Sequence, residues 1–165
     1  MVLAGEEIPD LLQKRTLEHP DTDPFLAQVN RYHRQEEARH LAFARLRLPE
    51  IWARAPRRHR FAVRHIAPAI IRSQLRGVLH PGIYGAAGLP GWKRALAVYQ
   101  SPSGVDLRQQ ATRPILATLL EAGAFPFGRV PKRWQTLCGV DRRGVLGTLP
   151  AAPVPAPAAS AAGPA

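Results

Sequence analysis

The sequence is poor in cysteine, in acidic residues and in long apolar runs, and each shortage excludes a class of protein. A single cysteine, Cys138, can form neither an internal disulfide nor a thiolate metal site. No apolar segment approaches the roughly 20 residues that a membrane-spanning helix needs, because Arg, His or Pro interrupts every one. The N-terminal segment, MVLAGEEIPD, lacks the basic residues with which a secretory signal begins. We therefore expect a cytoplasmic protein that is not associated with a membrane.

Acidic residues number 12 against 23 basic ones, so the 165-residue chain carries a net charge of +11. Nearly all of the excess is arginine, since lysine occurs only at Lys14, Lys93 and Lys132. This balance is compatible with an anionic partner such as nucleic acid, and equally with arginines spread over solvated faces. The most basic stretch, residues 54–65, has neither helix-turn-helix spacing nor interleaved aromatic residues. Nucleic-acid binding is therefore the less favoured function.

The chain reads as one all-α domain over residues 1–148, followed by a disordered tail over residues 149–165. The tail is almost entirely Pro, Ala and Gly and carries no charge, so it cannot offset its chain entropy by burial. The pattern of apolar residues, prolines and glycines predicts helices over residues 1–18, 24–48, 57–79 and 106–122. Asp23 and Pro24 are a typical N-cap and first-turn pair, and Pro49 is expected to end or bend the second helix. Residues 80–104 read as a long loop with one short helix, and residues 124–148 as irregular.

The most informative segment is RYHRQEEARHLAFARL, residues 31–46 of the second predicted helix. His33, Glu37 and His40 are spaced so that they share one helix face within about 60° of arc. The apolar side chains predicted on the same stripe are Leu26, Val29, Ala44 and Leu48. Burying a carboxylate and two imidazoles there is costly unless something pairs with them, and a metal ion with N and O ligands does so. The segment therefore predicts a metal site.

The spacing of these residues distinguishes two kinds of metal site. Zinc proteases place two histidines four residues apart with a glutamate beside the first, whereas His33 and His40 are seven apart. Glu37-x-x-His40 is instead the Glu-x-x-His pair with which helical-bundle proteins bind iron. His33 would add a ligand one turn earlier. The neighbouring Glu36 and Arg39 are expected to form an ordinary surface ion pair.

A helical-bundle site also needs a carboxylate from an adjacent helix. If the break near residue 21 folds the first two helices into an antiparallel hairpin, Glu6 and Glu7 lie as far from the break as Glu37, roughly 22 Å at 1.5 Å per residue. By this geometry either glutamate could be the ligand. The alternative is that both merely interact favourably with the dipole of the first helix.

The runs EEIPDLLQKR and YHRQEEARHLAFAR resemble the C-terminal half of the p-aminobenzoate N-oxygenase (AurF-like) family of ferritin-like, non-haem diiron oxygenases. The resemblance extends from residue 1 to about residue 145. It implies a ferritin-like helical bundle that binds two iron ions through Glu6 (rather than Glu7), His33, Glu37 and His40. It also implies an enzyme that uses O2 and an electron donor or reductase to N-oxygenate an aromatic amine or a related small molecule. Manganese suits the same ligands.

The sequence lacks part of the family's pattern. The family's site has a further Glu and a second Glu-x-x-His, and none of Glu18, Glu36, Glu50 and Glu121 is followed by a histidine three residues later. His59 and His65 lie in a basic run and are expected to be surface or core residues. We therefore expect a partial domain that carries half of a dinuclear site, as in a fragment that lacks N-terminal helices.

Three alternatives to the oxygenase remain open from the sequence. The chain could be a non-catalytic, truncated remnant of the family, or a basic helical module that binds nucleic acid through residues 54–65. It could also form a homodimer in which two copies of the Glu6, His33, Glu37 and His40 set make one symmetric site, although two chains of charge +11 repel each other.

Other residues have less specific expectations. Arg113 is expected either to clamp a substrate carboxylate or to lie in water at a helix start. Four large aromatic residues are expected to serve as packing residues: Trp52, Trp92, Trp134 and Phe125.

Overall fold

The computed structural model describes residues 2–78 and 80–145, and these two ranges contain helices and connections but no β-strand. The helices are α1 (Val2–Glu18), α2 (Pro24–Arg54), α3 (Arg57–His65), α4 (Ala67–Val78), α5 (Pro81–Ala86), α6 (Gly91–Gln100), α7 (Pro102–Glu121) and α8 (Lys132–Cys138). A 3-10 turn, Pro126–Gly128, lies between α7 and α8. The all-α prediction is confirmed. The predicted disordered tail, residues 149–165, lies outside the described residues.

Helices α1 and α2 form the predicted antiparallel hairpin. The Asp23 carboxylate accepts a hydrogen bond from the backbone N–H of Leu26 at 3.0 Å, and Pro24 occupies the first helical position. Both features stabilise a helix start, because the carboxylate satisfies a free N–H and proline has no N–H to lose. The N-cap prediction is confirmed.

Helix α2 continues beyond its predicted end. It passes through Pro49 and ends at Arg54, although Pro49 has no N–H to donate to the carbonyl of Arg45. The additional turn buries Trp52, whose ring lies 5.9 Å from the Arg60 guanidinium carbon and 5.7 Å from that of Arg64. Burying this side chain offsets the lost hydrogen bond. Of the two outcomes predicted at Pro49, an end or a bend, the end is therefore wrong.

In the middle of the chain, the observed helices differ from two of the predictions. The run 57–79 is two helices rather than one, and Pro68 lies in the first turn of α4, where a missing N–H costs little. The segment 80–104 contains two helices, α5 and α6, rather than one short helix in a loop. The His80 side chain helps to start α5, since its Nδ1 accepts from the Gly82 N–H at 3.1 Å.

Helix α7 forms the centre of the core. It begins at Pro102, four residues before the predicted start at residue 106. Ser101 caps this start, because its hydroxyl accepts a hydrogen bond from the Gly104 N–H at 3.1 Å. Gly123 follows its end with a φ of +69°, as expected of a helix stop. The core side chains of this helix are Ala111, Ile115, Leu116 and Leu119.

The segment predicted to be irregular, residues 124–148, contributes a helix to the core. The Trp134 side chain of α8 is fully buried, its ring N–H donates to the Val63 carbonyl at 3.1 Å, and its ring packs edge-on to Phe125. The packing predictions for Trp52, Phe125 and Trp134 are confirmed. The prediction for Trp92 is wrong, because 79% of that residue is exposed.

Within the described part of the chain, none of the helices combines the length and the hydropathy that crossing a bilayer requires.

Candidate metal centre

The facing sides of α1 and α2 are joined by a series of polar contacts. Moving along α2 towards the turn, Arg45 pairs with Glu7, Glu37 with Glu6, Arg34 with Asp10, and His33 with Gln13. The Asp10–Arg34 pair has an N–O distance of 2.7 Å. These contacts fix the register of the hairpin and bring the predicted ligands of both helices to one level.

The structure brings Glu6, Glu37 and His40 together. One ligand atom from each of the three side chains lies within 4.8 Å of the other two. His40 Nδ1 is 3.1 Å from Glu37 Oε2. Glu37 is buried and Glu6 is half-buried, whereas His40 is exposed. Two carboxylates and an imidazole at this separation form a donor set suited to a divalent transition-metal ion.

The side chains of Glu6 and Glu37 interact with each other and shift each other's pKa in opposite directions. The hydrogen bond with Glu37 raises the pKa of Glu6, and burial raises it further. The same hydrogen bond lowers the pKa of Glu37, as does the hydrogen bond to His40. Of the two carboxyl groups, Glu6 therefore keeps its proton to the higher pH. A bound cation would compete with protonation here, because it neutralises the repulsion between the two carboxylates.

His33 lies at the edge of this group. Its Nε2 is 3.5 Å from Glu37 Oε1, and its Nδ1 is 2.9 Å from the side-chain nitrogen and 3.3 Å from the side-chain oxygen of Gln13. When the Gln13 amide presents its oxygen, His33 Nδ1–H donates to it and the lone pair of Nε2 is left for a metal. Gln13 lies seven residues after Glu6, on the same face of α1, and this helical spacing is the signal that could have identified it from the sequence.

Glu7, the alternative to Glu6, does not reach the group. Its carboxylate is buried and forms an ion pair with Arg45, which extends from α2. Arg45 therefore has a partner on the opposite helix. A glutamate engaged by a guanidinium is a poor metal ligand, since its oxygens already accept charged hydrogen bonds.

The buried face of α2 differs from the predicted stripe. Leu26 and Val29 are almost half exposed, and the side chains of His33 and His40 are 49% and 61% exposed. The residues that α2 buries are Asn30, Glu37, Leu41 and Trp52. At 100° per residue this set is centred about 60° further round the helix than His33. Glu37 therefore faces α1, and the two histidines lie at the boundary with solvent.

The remaining candidates lie elsewhere. His59 and His65 are exposed on α3 and belong to no metal-binding group found in the described ranges. Arg113 lies inside α7 rather than at its start, where it donates to the Cys138 carbonyl at 3.0 Å and to Gln109 at 3.2 Å. It therefore ties α7 to α8, and the prediction of an arginine that lies in water at a helix start is wrong. The Glu36–Arg39 surface pair is confirmed at 2.9 Å.

The basic run of α3 is partly used in packing. Arg60 donates to the carbonyls of Trp52 and Ala53, and Arg64 donates to the Ala124 carbonyl at 2.7 Å. Both guanidinium groups also lie over the Trp52 ring. These two arginines are therefore not free to bind a nucleic-acid backbone.

Comparison with known families relates the hairpin and the helices that follow it to a described family. The family model described as p-aminobenzoate N-oxygenase AurF matches residues 1–123, which contain both helices of the candidate metal centre. Neither a curated protein nor a solved structure matches the chain significantly.

Proposed function

The chain belongs to the p-aminobenzoate N-oxygenase AurF family, and we propose that it acts as an O2-dependent, iron-containing oxygenase through Glu6, His33, Glu37 and His40. The observation that carries the proposal is the convergence of Glu6, Glu37 and His40 across the α1–α2 hairpin. The family relationship supplies the reaction class, oxygenation of an arylamine nitrogen or of a related small molecule.

The side chains fit such a metal. Two carboxylates in hydrogen-bond contact need a proton or a cation between them, and His40 adds a nitrogen donor at the same point. In the family, the centre is dinuclear, so we propose two iron ions, for which Glu6, His33, Glu37 and His40 would supply this chain's half of the ligands. When bound, iron supplies the redox chemistry with O2 that the side chains lack.

The residues of this chain hold and orient the donors. Asp10–Arg34 and Glu7–Arg45 fix α1 against α2 on either side of the centre. Gln13 holds the ring of His33 and selects the nitrogen that faces Glu37. Because the histidines lie at the solvent boundary, a small aromatic amine and an electron donor have access to the centre from that side.

A turnover assay tests this function. The full chain, loaded anaerobically with Fe(II) and supplied with a reductant and O2, is given p-aminobenzoate as the probe amine, and N-oxygenated products are measured by mass spectrometry. We expect iron-dependent product from the wild type and from His59→Ala, and none from His40→Ala. Product formation that does not depend on iron, or that persists in His40→Ala, would contradict the proposal.

A further inference from the structure

A second polar cavity lies among α4, α6, α7 and α8, on elements other than those of the metal centre. It has a volume of about 170 Å³. The charged and aromatic residues that line it are Arg72 and Arg76 of α4, Arg108 of α7 and Tyr99 of α6. The rest of its wall consists of Val105, Gln109, Thr136 and Leu137. Three guanidinium groups therefore face one small space.

Among the described residues, no carboxylate forms a salt bridge with these three arginines. Residues 51–105 contain neither Asp nor Glu, and α8 contains none either. The acidic residue nearest in sequence to Arg108 is Asp106, which accepts a hydrogen bond from Gln110 at 2.6 Å. Within the described ranges, Arg72 and Arg76 form neither a side-chain hydrogen bond nor a salt bridge. Like charges gathered without a counter-charge repel, so the cavity favours an anion.

Arg108 is the fixed member of the three. It donates to the carbonyls of Tyr99 and Gly104, and its guanidinium carbon lies 3.8 Å from the centre of the Tyr99 ring. Arg76 approaches the same ring at 5.4 Å. Burial lowers the pKa of Arg108, and the charges of Arg72 and Arg76 lower it further. The Tyr99 ring thus holds Arg76 and Arg108 at the cavity. The N–H groups of Arg72 and Arg76 remain available to donate hydrogen bonds to a ligand.

An apolar pocket adjoins the cavity and shares Arg76 and Tyr99 with it. This pocket has a volume of about 470 Å³, and its other walls include Trp92, Ala95 and Leu96 of α6. The exposed indole of Trp92, which the core does not use, forms one side of it. An anionic group in the arginine cavity would therefore have an apolar surface beside it for the rest of a molecule.

From this arrangement we propose that the α4–α6–α7–α8 cavity binds the phosphate group of a small organic phosphate ester whose apolar part lies against Trp92 and Leu96. A phosphate fits better than a carboxylate, because two available guanidinium groups beside a third positive charge match a doubly charged, three-oxygen acceptor. The ligand is a different molecule from the arylamine, and its binding does not depend on iron.

Calorimetric titration of the chelator-treated full chain with phenyl phosphate at physiological ionic strength tests the proposal. The comparison ligands are inorganic phosphate and benzoate. We expect phenyl phosphate to bind more tightly than either, and Arg72→Gln/Arg76→Gln to weaken it at least tenfold. The control Arg57→Gln/Arg58→Gln, which removes the same charge from the exposed face of α3, should change it less than twofold.

A further variant separates the two parts of the site. Trp92→Ala should reduce the affinity for phenyl phosphate to that for inorganic phosphate and leave the latter unchanged. Absence of phenyl phosphate binding by the wild type would overturn the proposal, as would equal weakening by both double variants, which indicates attraction to net charge alone. Tighter binding of benzoate than of phenyl phosphate would overturn the assignment of phosphate.

Discussion

Individual side chains decide which donors of the hairpin are free to bind a metal. Arg45 engages Glu7, so Glu6 is left to face Glu37. Gln13 engages one nitrogen of His33 and leaves the other towards Glu37. Both choices are made by residues that bind no metal themselves, which is typical of the partners that orient metal ligands.

Gln13→Ala should weaken Fe(II) binding by about tenfold, because His33 loses the contact that fixes its ring and its tautomer. Anaerobic titration of the full chain measures the dissociation constant. Gln35→Ala, at an exposed position of α2, is the control and should leave it unchanged. Equal affinities for the wild type and Gln13→Ala would show that the contact does not orient the ligand.

Cys138 gives the protein a pH dependence in the alkaline range. Burial raises the pKa of its thiol to about 11 from an ordinary 9.0. Between these two pH values the folded state keeps the thiol proton and the unfolded state loses it. The contribution of the protonated thiol to the free energy of unfolding is therefore fully present below about pH 9 and is lost as the pH rises towards 11.

The difference in free energy of unfolding between the wild type and Cys138→Ala should thus shrink between pH 9 and 11, by at most about 1.4 kcal/mol per pH unit. Urea denaturation at several pH values measures it, and the variant serves as the control for all other titrating groups. A difference that is constant over this range would mean that the thiol ionises equally easily in both states.

The positions of the candidate ligands were the part of the site that the sequence could predict. Helical spacing identified His33, Glu37 and His40, and hairpin geometry identified the level of Glu6 and Glu7. The choice between these two glutamates depends on how far the Arg45 side chain extends across the hairpin, and helix periodicity alone carries no such information.

At the scale of elements, the α1–α2 hairpin depends on its cross-helix ion pairs. Arg45→Gln leaves the buried Glu7 carboxylate without a counter-charge, and we expect a loss of about 1–3 kcal/mol in stability. Arg47→Gln, which breaks an exposed pair with Glu50, should cost less than about 1 kcal/mol. Urea denaturation compares the two variants. The double variant Glu7→Gln/Arg45→Gln should recover part of the loss, and failure to recover any would show that Arg45 acts through packing alone.

The end of α8 is a second element that depends on one position. Gly139 has a φ of +66°, and an added Cβ would lie 2.3 Å from the buried side chain of Gln109. Gly139→Ala therefore combines backbone strain with a clash that displaces a partner of Arg113. Gly123 has a similar φ of +69°, but there is open space around it. Gly123→Ala therefore measures the backbone strain alone, about 1 kcal/mol.

We expect Gly139→Ala to lower the melting temperature by clearly more than Gly123→Ala, as measured by circular dichroism. Equal effects would indicate that Gln109 moves aside without cost.

Helix boundaries were predicted well where a local signal set them and poorly where packing did. Asp23–Pro24 and Gly123 act within one turn of their own helices, so the sequence alone is enough. Pro49 normally ends a helix, but α2 continues to bury Trp52 against α3. That gain comes from contacts with another helix, so it has no signature in the residues around Pro49.

At the scale of the whole molecule, charge is divided between two regions. The carboxylates that face each other lie on α1 and α2, whereas residues 51–105 contain no acidic residue and supply two of the three arginines of the second cavity. The net charge of +11 is therefore not spread evenly over solvated faces. The carboxylates of the α1–α2 hairpin form an anionic centre that suits a cation, and the arginines of the second cavity form a cationic site that suits an anion.

The most direct measurement is the Fe(II) affinity and stoichiometry of the full chain, compared between Glu37→Gln and Glu36→Gln. The two variants remove neighbouring charges from the same helix, but only Glu37 faces Glu6 and His40. We predict that the wild type and Glu36→Gln bind iron equally and that Glu37→Gln binds it at least tenfold more weakly. Equal binding by all three proteins would contradict a metal centre on the α1–α2 hairpin.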